Sequence, residues 1–149
     1  MRWHSLNEQI AITTNPYYLV KYIDQFGRVD VSDCALKDGK FINLNKFVFE
    51  VLKDVVAWCN YDEIERYLNF NNLWRHPVKD CEYSLNNLGV IVMAEVSDTF
   101  SMAVPAVIKE ESGIKHFVEL EDMSNVIDNE IEGWVDTGDI WTILDGVKL

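Results

Sequence analysis

The chain has 149 residues, of which 48% are apolar and 26% charged, and its formal net charge is −12 at pH 7. This length is typical of one domain with its own hydrophobic core, so we expect a single domain over residues 1–149. The composition excludes a disordered chain, and the best apolar run, residues 88–94, is far shorter than the ~20 residues of a membrane-spanning helix.

The first residues and the cysteines indicate the compartment. Arg2 is followed by polar residues instead of an apolar segment, so no secretory signal is predicted. Cys34, Cys59 and Cys81 are an odd number at irregular spacing, which argues against a disulfide framework and against a zinc site. We therefore expect a soluble cytoplasmic protein without a membrane partner, a metal centre or a cofactor.

Helical periodicity dominates the N-terminal half. Asn15-Pro16 is a typical helix start, and the apolar residues from Leu19 to Phe26 recur at helical spacing until Gly27 supplies a stop. A second helix is predicted over residues 45–59, where valines and Leu52 recur at steps of three and four.

A third helix is predicted to begin at Asn60. Asn60 and Glu63 resemble a capping box, Ile64 and Leu68 continue the apolar stripe, and His76-Pro77 closes the region.

Strand signals follow in the C-terminal half, after a short hairpin that the turn 37–40 predicts between residues 29–31 and 41–42. Residues 88–96 and 100–109 are strand candidates, the latter placed at a sheet edge or bulge because it contains Pro105. A turn at residues 111–113 precedes a third strand, and the tail adds short strand segments around a Thr137-Gly138 turn.

The order of these elements predicts an α+β fold. Two or three helices of the N-terminal half are expected to pack on a mainly antiparallel sheet made from residues 88–144.

Charge is unevenly distributed along the chain. Residues 1–60 carry seven basic and seven acidic side chains, whereas residues 91–149 carry three basic and thirteen acidic ones. No lysine or arginine lies between Lys115 and Lys148. Such a negative surface repels nucleic acid and anionic lipid and favours encounter with basic surfaces.

The leading hypothesis is therefore a non-catalytic acidic protein that docks through its C-terminal half on a basic protein partner. A nucleic-acid-binding enzyme is one such partner, since carboxylates can occupy positions that phosphates would fill; inhibitors, immunity proteins and anti-defence proteins follow this logic. The alternative reading is that the carboxylates only keep the protein soluble. The predicted partner-binding residues are Glu119, Glu121, Asp122, Asp128, Glu130, Glu132, Trp134, Asp136 and Asp139.

Two short motifs in the same segment resemble known sites. Residues 128–139 resemble an EF-hand calcium loop, with oxygen-bearing side chains at five loop positions and Gly133 at the sixth, although alternating surface carboxylates of a hairpin explain the same residues. Asp136-Thr137-Gly138 resembles the catalytic triplet of aspartic proteases, but too little chain follows it to complete such a site, so we interpret it as a turn.

A small hydrolase or transferase is the alternative function. Cys81 and His116 are the residue types of a nucleophile and its base, but no recognised catalytic or phosphate-binding motif accompanies them.

Overall fold

The computed structural model describes residues 1–10, 15–45, 50–75 and 89–146. The chain divides into two compact units, Met1–Ile64 and Glu65–Leu149, and each contains one antiparallel sheet. The single domain expected over residues 1–149 stays a prediction.

The first unit is built on a six-stranded sheet in the order β1-β6-β2-β3-β4-β5, with every neighbouring pair antiparallel. Helix α1, Tyr61–Phe70, follows β6 without a loop. The strands are β1 (His4–Ser5), β2 (Tyr17–Ile23), β3 (Val29–Lys37), β4 (Lys40–Asn43), β5 (Glu50–Val51) and β6 (Val55–Asn60).

The first two predicted helices are wrong, because both segments form strands. In β2, Tyr17 to Val20 are buried on both faces of the sheet, so the strand lacks the apolar and polar alternation that would have identified it. The stripe predicted over residues 45–59 contains several valines, whose branched side chains favour strands, and its described part contains β5 and β6. Residues 46–49 lie outside the described residues.

The hairpin predicted between β3 and β4 is confirmed. Asp38 and Gly39 connect the two strands with positive φ angles of 52° and 74°, the conformation of a two-residue hairpin turn. Gly27, predicted to end a helix, instead lies in the β2–β3 turn with φ 77°, where Asp24 Oδ1 accepts hydrogen bonds from the Phe26 and Arg28 amides.

The helix predicted from Asn60 is confirmed as α1. Asn60 Oδ1 accepts a hydrogen bond of 2.8 Å from the Asp62 amide, which caps the helix start, and Ile64 and Leu68 are fully buried. The helix ends at Phe70 because Asn72 takes a positive φ of 53°. The Asn72 and Leu73 amides then bond back to the last turn, as in a Schellman motif. His76-Pro77 lies outside the described residues.

The second unit is built on a four-stranded antiparallel sheet in the order β10-β7-β8-β9. A 3₁₀ turn, Asp128–Glu130, leads from the segment after β9 into β10. No helix within the described ranges is long and apolar enough to cross a membrane. The elements are β7 (Val90–Ser97), β8 (Phe100–Glu111), β9 (Ile114–Glu119), β10 (Ile131–Asp136) and α2 (Thr137–Leu144).

Pro105 does not place β8 at an edge, because β8 pairs with both β7 and β9. The Pro105 carbonyl accepts a hydrogen bond from the Leu120 amide, one residue beyond the end of β9. In an antiparallel strand the amide and carbonyl of one residue point to the same side. Proline has no N–H, and at this position an N–H would point beyond the last residue of β9. An interior strand therefore tolerates the proline.

The tail also differs from its prediction. Residues from Thr137 onward form helix α2 instead of a turn and a strand, with Asp136 in an extended conformation before it and Asp139 in its first turn, where the helix dipole favours a carboxylate. The predicted fold class is therefore wrong. Over the described residues, the N-terminal half is mainly sheet, and a second helix lies at the C-terminal end.

Trp134 is the largest fully buried side chain of the second unit. Its ring lies 6.2 Å from the ring of Phe117, centroid to centroid, and the Arg75 guanidinium lies 5.1 Å above it. Its backbone also pairs with Arg75 in both directions. Trp134 is thus a core residue that joins β10 to the segment after α1.

We predict that Trp134→Ala lowers the free energy of unfolding by about 3–5 kcal/mol, because it leaves a large cavity in the core. Phe100→Ala is the control, since Phe100 is 47% exposed and its truncation should cost much less. Urea unfolding of both variants measures the difference, and equal losses would contradict the placement of Trp134.

Candidate functional site

The predicted partner-binding residues differ in their exposure. Trp134 was predicted to bind the partner, but its side chain is fully buried. Glu119, Glu121, Asp136 and Asp139 are half-buried. The exposed members are Asp122, Asp128, Glu130 and Glu132.

The structure does not place all eight carboxylates together. β10 separates Glu130 from Asp136, and a strand of six residues spans roughly 17–20 Å. Residues 125–127 pair with the outer edge of β9, so the carboxylates from Glu119 to Glu130 follow that edge. We name Glu119, Asp122, Asp128, Glu130 and Glu132 the acidic edge; the first four lie on β9 or in the segment that follows it, and Glu132 lies on β10, the other edge strand of the same sheet.

Uncharged donors hold three members of the acidic edge. Ser124 donates from its amide and hydroxyl to Asp122 Oδ1, at 3.2 and 2.6 Å. Asn125 Nδ2 donates to Glu119 Oε2 at 2.8 Å, and Ser101 Oγ to Glu132 Oε1 at 2.9 Å. Neutral donors orient a carboxylate without cancelling its charge, and the bonds to Ser124 lower the pKa of Asp122.

Asp128 connects the 3₁₀ turn to β9. Its Oδ1 accepts a hydrogen bond of 2.6 Å from the Phe117 amide, and its Oδ2 lies 2.6 Å from His116 Nδ1. His116, named in the sequence as a possible catalytic base, is therefore a partner of a carboxylate at the sheet edge.

Asp136 and Asp139 form a separate group around Arg75. The guanidinium lies 3.9 Å from Asp136 Oδ2 and 3.6 Å from Asp139 Oδ2, while it stacks over Trp134. Burial, followed by the nearby charge of Asp139, raises the pKa of Asp136, and Arg75 opposes the shift. Both carboxylates therefore pair with the same cation of this protein, Arg75, unlike those of the acidic edge.

The EF-hand resemblance does not correspond to a loop in the structure. Residues 131–136 are an extended strand and residues 137–139 begin a helix, so the would-be ligands are spread along β10 and do not surround one point. Among the described residues, no group of three histidine, cysteine, aspartate or glutamate side chains could hold a metal ion.

Of the residues proposed for an enzyme, Cys81 lies outside the described residues. Cys34 and Cys59 are buried and not in disulfides, and burial raises the pKa of both thiols well above the usual range. A thiol that resists ionisation is a poor nucleophile. These two cysteines are therefore core residues.

Sequence reasoning missed a buried carboxyl group in the first unit. Asp33 of β3 is 2% exposed and accepts a short hydrogen bond from the Tyr61 hydroxyl at the start of α1. Burial raises the pKa of Asp33 to about 6, although hydrogen bonds from Tyr61 and Asn45 oppose this. The sequence offered little signal for it, because the pairing spans 28 residues.

Sequence reasoning also missed a histidine held by two glutamates. His4 lies between Glu8 and Glu63. Its Nδ1 is 2.5 Å from Glu8 Oε2, and its Nε2 is 2.7 Å from Glu63 Oε2. The spacing of His4 and Glu8 is visible in the sequence, but Glu63 reaches the pair only through the fold.

Comparison with known proteins identifies no relative. No protein-family profile matches the chain, and no curated protein or solved structure is significantly similar to it. Any assignment of function must therefore come from the chain's own residues.

The raised pKa of Asp33 predicts that stability falls as the pH rises. Below about pH 4 the carboxyl is protonated in both states, and above pH 6 the folded state must bury its charge. A shift from 3.8 to about 6 is worth about 3 kcal/mol in all, of which about 2 kcal/mol falls between pH 4 and 7. Between pH 4 and pH 7, the free energy of unfolding of Asp33→Asn should therefore rise by that amount relative to the parent.

Urea unfolding at the two pH values tests the prediction. At each pH, the free energy of unfolding of the variant is compared with that of the parent. The change in this difference between pH 4 and pH 7 is the quantity of interest, because any pH-independent effect of the amide cancels. Asp38→Asn is the control, since Asp38 is exposed in the β3–β4 turn. A difference for Asp33→Asn that is the same at pH 4 and 7 would show that Asp33 ionises normally.

Proposed function

We propose that the protein is a non-catalytic binding protein whose acidic edge docks on a basic protein partner. The partner class proposed is an enzyme that binds nucleic acid, whose cationic surface would accept carboxylates where phosphates otherwise bind. An inhibitor, an immunity protein and an anti-defence protein all act in this way.

One observation carries the proposal: three carboxylates of the acidic edge are oriented by uncharged donors, in a unit whose described residues hold far more carboxylates than lysines. Residues 89–146 contain thirteen carboxylates and two lysines. Within the acidic edge, Asp122, Glu119 and Glu132 are held by serine and asparagine donors. Carboxylates that only maintained solubility would not need such fixed positions.

Electrostatics explains what this arrangement supplies to binding. At physiological salt the screening length is about 8 Å, so neighbouring carboxylates add to a negative potential that a cationic surface meets at close range. Such complementarity raises the rate of association and the specificity more than it raises the affinity. Preorganised charges also avoid part of the side-chain entropy that is lost on binding.

A cytoplasmic location is part of the proposal. Cys34 and Cys59 are free thiols in the core, which fits a reducing compartment.

The first test removes charge while keeping geometry. In the triple variant Asp122→Asn, Glu130→Gln and Glu132→Gln, the amide oxygens can still accept the bonds from Ser124 and Ser101. We expect association with a partner recovered by affinity capture to slow by about tenfold or more at low salt, and its salt dependence to flatten. Stopped-flow or surface-based kinetics at several salt concentrations give both quantities.

The matched control changes three exposed carboxylates of the first unit, Asp38→Asn, Glu50→Gln and Asp54→Asn. It alters the net charge by the same amount, so it should leave the association rate nearly unchanged. Equal slowing by the two triple variants would mean that net charge acts without a docking surface, and the proposal would fail.

The second test concerns nucleic acid itself. We expect no retention of duplex DNA or RNA in a gel-shift assay at low salt, because affinity for nucleic acid depends on cations that neutralise phosphates. Micromolar binding that weakens steeply with salt would contradict the charge argument.

A further inference from the structure

The imidazole ring of His4 is held on both of its nitrogens. Nδ1 lies 2.5 Å from Glu8 Oε2, and Nε2 lies 2.7 Å from Glu63 Oε2. Glu8 lies in the segment after β1, whereas Glu63 belongs to α1. The ring therefore connects two parts of the first unit that are 55 residues apart in sequence.

This geometry requires a protonated ring. An ionised carboxylate has no hydrogen to donate, so each nitrogen must donate a hydrogen of its own. A neutral ring carries one hydrogen, and its second nitrogen would turn a lone pair toward a carboxylate oxygen at hydrogen-bond distance. The two bonds thus form together only in the imidazolium state.

The remaining neighbours favour the same state. The ring stacks on Trp58 of β6, with centroids 4.5 Å apart and planes at 17°, which suits a cation over an aromatic face. Arg2 bonds to Glu8 through its guanidinium and to Glu63 through its amide, and the Met1 amine lies 3.7 Å from Glu63. Cys59 Sγ lies 3.8 Å from the Glu63 carboxylate, and its thiol stays uncharged.

We propose that His4, Glu8 and Glu63 form a pH-sensitive latch that holds β1 on the edge of β6 while the imidazole is protonated and releases it as the pH rises. β1 pairs with β6 over two residues, His4 with Trp58 and Ser5 with Ala57, and the ring centroid of the residue before it, Trp3, lies 4.9 Å from Lys21 Nζ. Its release uncovers the outer edge of β6.

The direction of the pH dependence follows from the three groups. Stability from the imidazolium is present at low pH and is lost as the ring deprotonates. Hydrogen bonds from Arg2 and His4 lower the pKa of Glu8. Burial raises the pKa of Glu63, but the bonds from His4 and Arg2 outweigh it, so the net shift is also downward. Both carboxylates therefore remain ionised at mildly acidic pH, and the latch opens on the alkaline side.

Hydrogen exchange of the full chain tests the latch. Protection factors, which remove the intrinsic pH dependence of exchange, are measured for the amides of residues 3–6 at about pH 5.5 and about pH 8.5. We expect about a tenfold or greater loss of protection at the higher pH, the size expected for a bond to a charged group, and little change in β2 and β3. Nitrogen-15 spectra of the imidazole should show both nitrogens protonated at the lower pH.

Three variants make the test specific. His4→Gln should abolish the pH-dependent loss, and Glu8→Gln, which leaves β1 itself intact, should reduce it. His116→Gln, which alters a histidine paired with a carboxylate in the second unit, should leave it unchanged. The proposal is overturned if protection at residues 3–6 is equal at the two pH values, or if His4→Gln retains the full loss.

Discussion

Burial of both faces of several strands is the constraint on which the rest of the structure depends. Tyr18 and Val20 of β2 pack in one core cluster with Trp58 and Phe41, while Leu19, which points to the other face, is also fully buried. Val90 to Ala94 of β7 are likewise buried without alternation. Such strands offer no solvent-facing side for charge. Exposed charge must therefore lie on hairpins, on the ends of strands and along the sheet edges, which is where the acidic edge is found.

The same constraint explains which elements could be predicted from the sequence. Turns with a local chemical cause were predictable: Asp38-Gly39 connects β3 and β4 as expected, and Asn60 caps α1 as expected. The strands β2 and β6 were not, because a strand buried on both faces has no period of two. Chance helical spacing of Leu19, Tyr22 and Ile23 then outweighed the strand preference of tyrosine and valine. Helix α2 was missed because its eight residues are too few to show a period.

The candidate site was predictable in its composition and not in its geometry. The excess of carboxylates after Lys115 is plain in the sequence, but the neutral donors that orient them become visible only through the fold, as with Ser101 and Glu132. The sequence also grouped Asp136 and Asp139 with the others, whereas Arg75 from the segment after α1 reaches both. Trp134 was counted among the partner-binding residues because tryptophan is common in interfaces, but its side chain is buried in the core.

The proposed function rests on carboxylates that are held in fixed positions by uncharged groups. Two kinds of carboxylate occur in the described residues: those bound to an internal cation, such as Asp139, and those oriented by uncharged groups, such as Asp122 and Glu132. The first kind stabilises the fold or the segment that it joins. The second kind keeps its negative charge, and we propose that its members between residues 119 and 132 meet the cationic surface of a partner.

The most direct measurement is zero-length carbodiimide cross-linking of the protein in complex with its captured partner, followed by mass spectrometry. This reagent joins a carboxylate to a lysine only where the two are in contact, so it reports which carboxylates face the partner. We expect cross-links from partner lysines to Asp122, Asp128, Glu130 and Glu132, and we expect them to be lost at high salt. Cross-links confined to carboxylates of the first unit, such as Glu50 and Asp54, would contradict it.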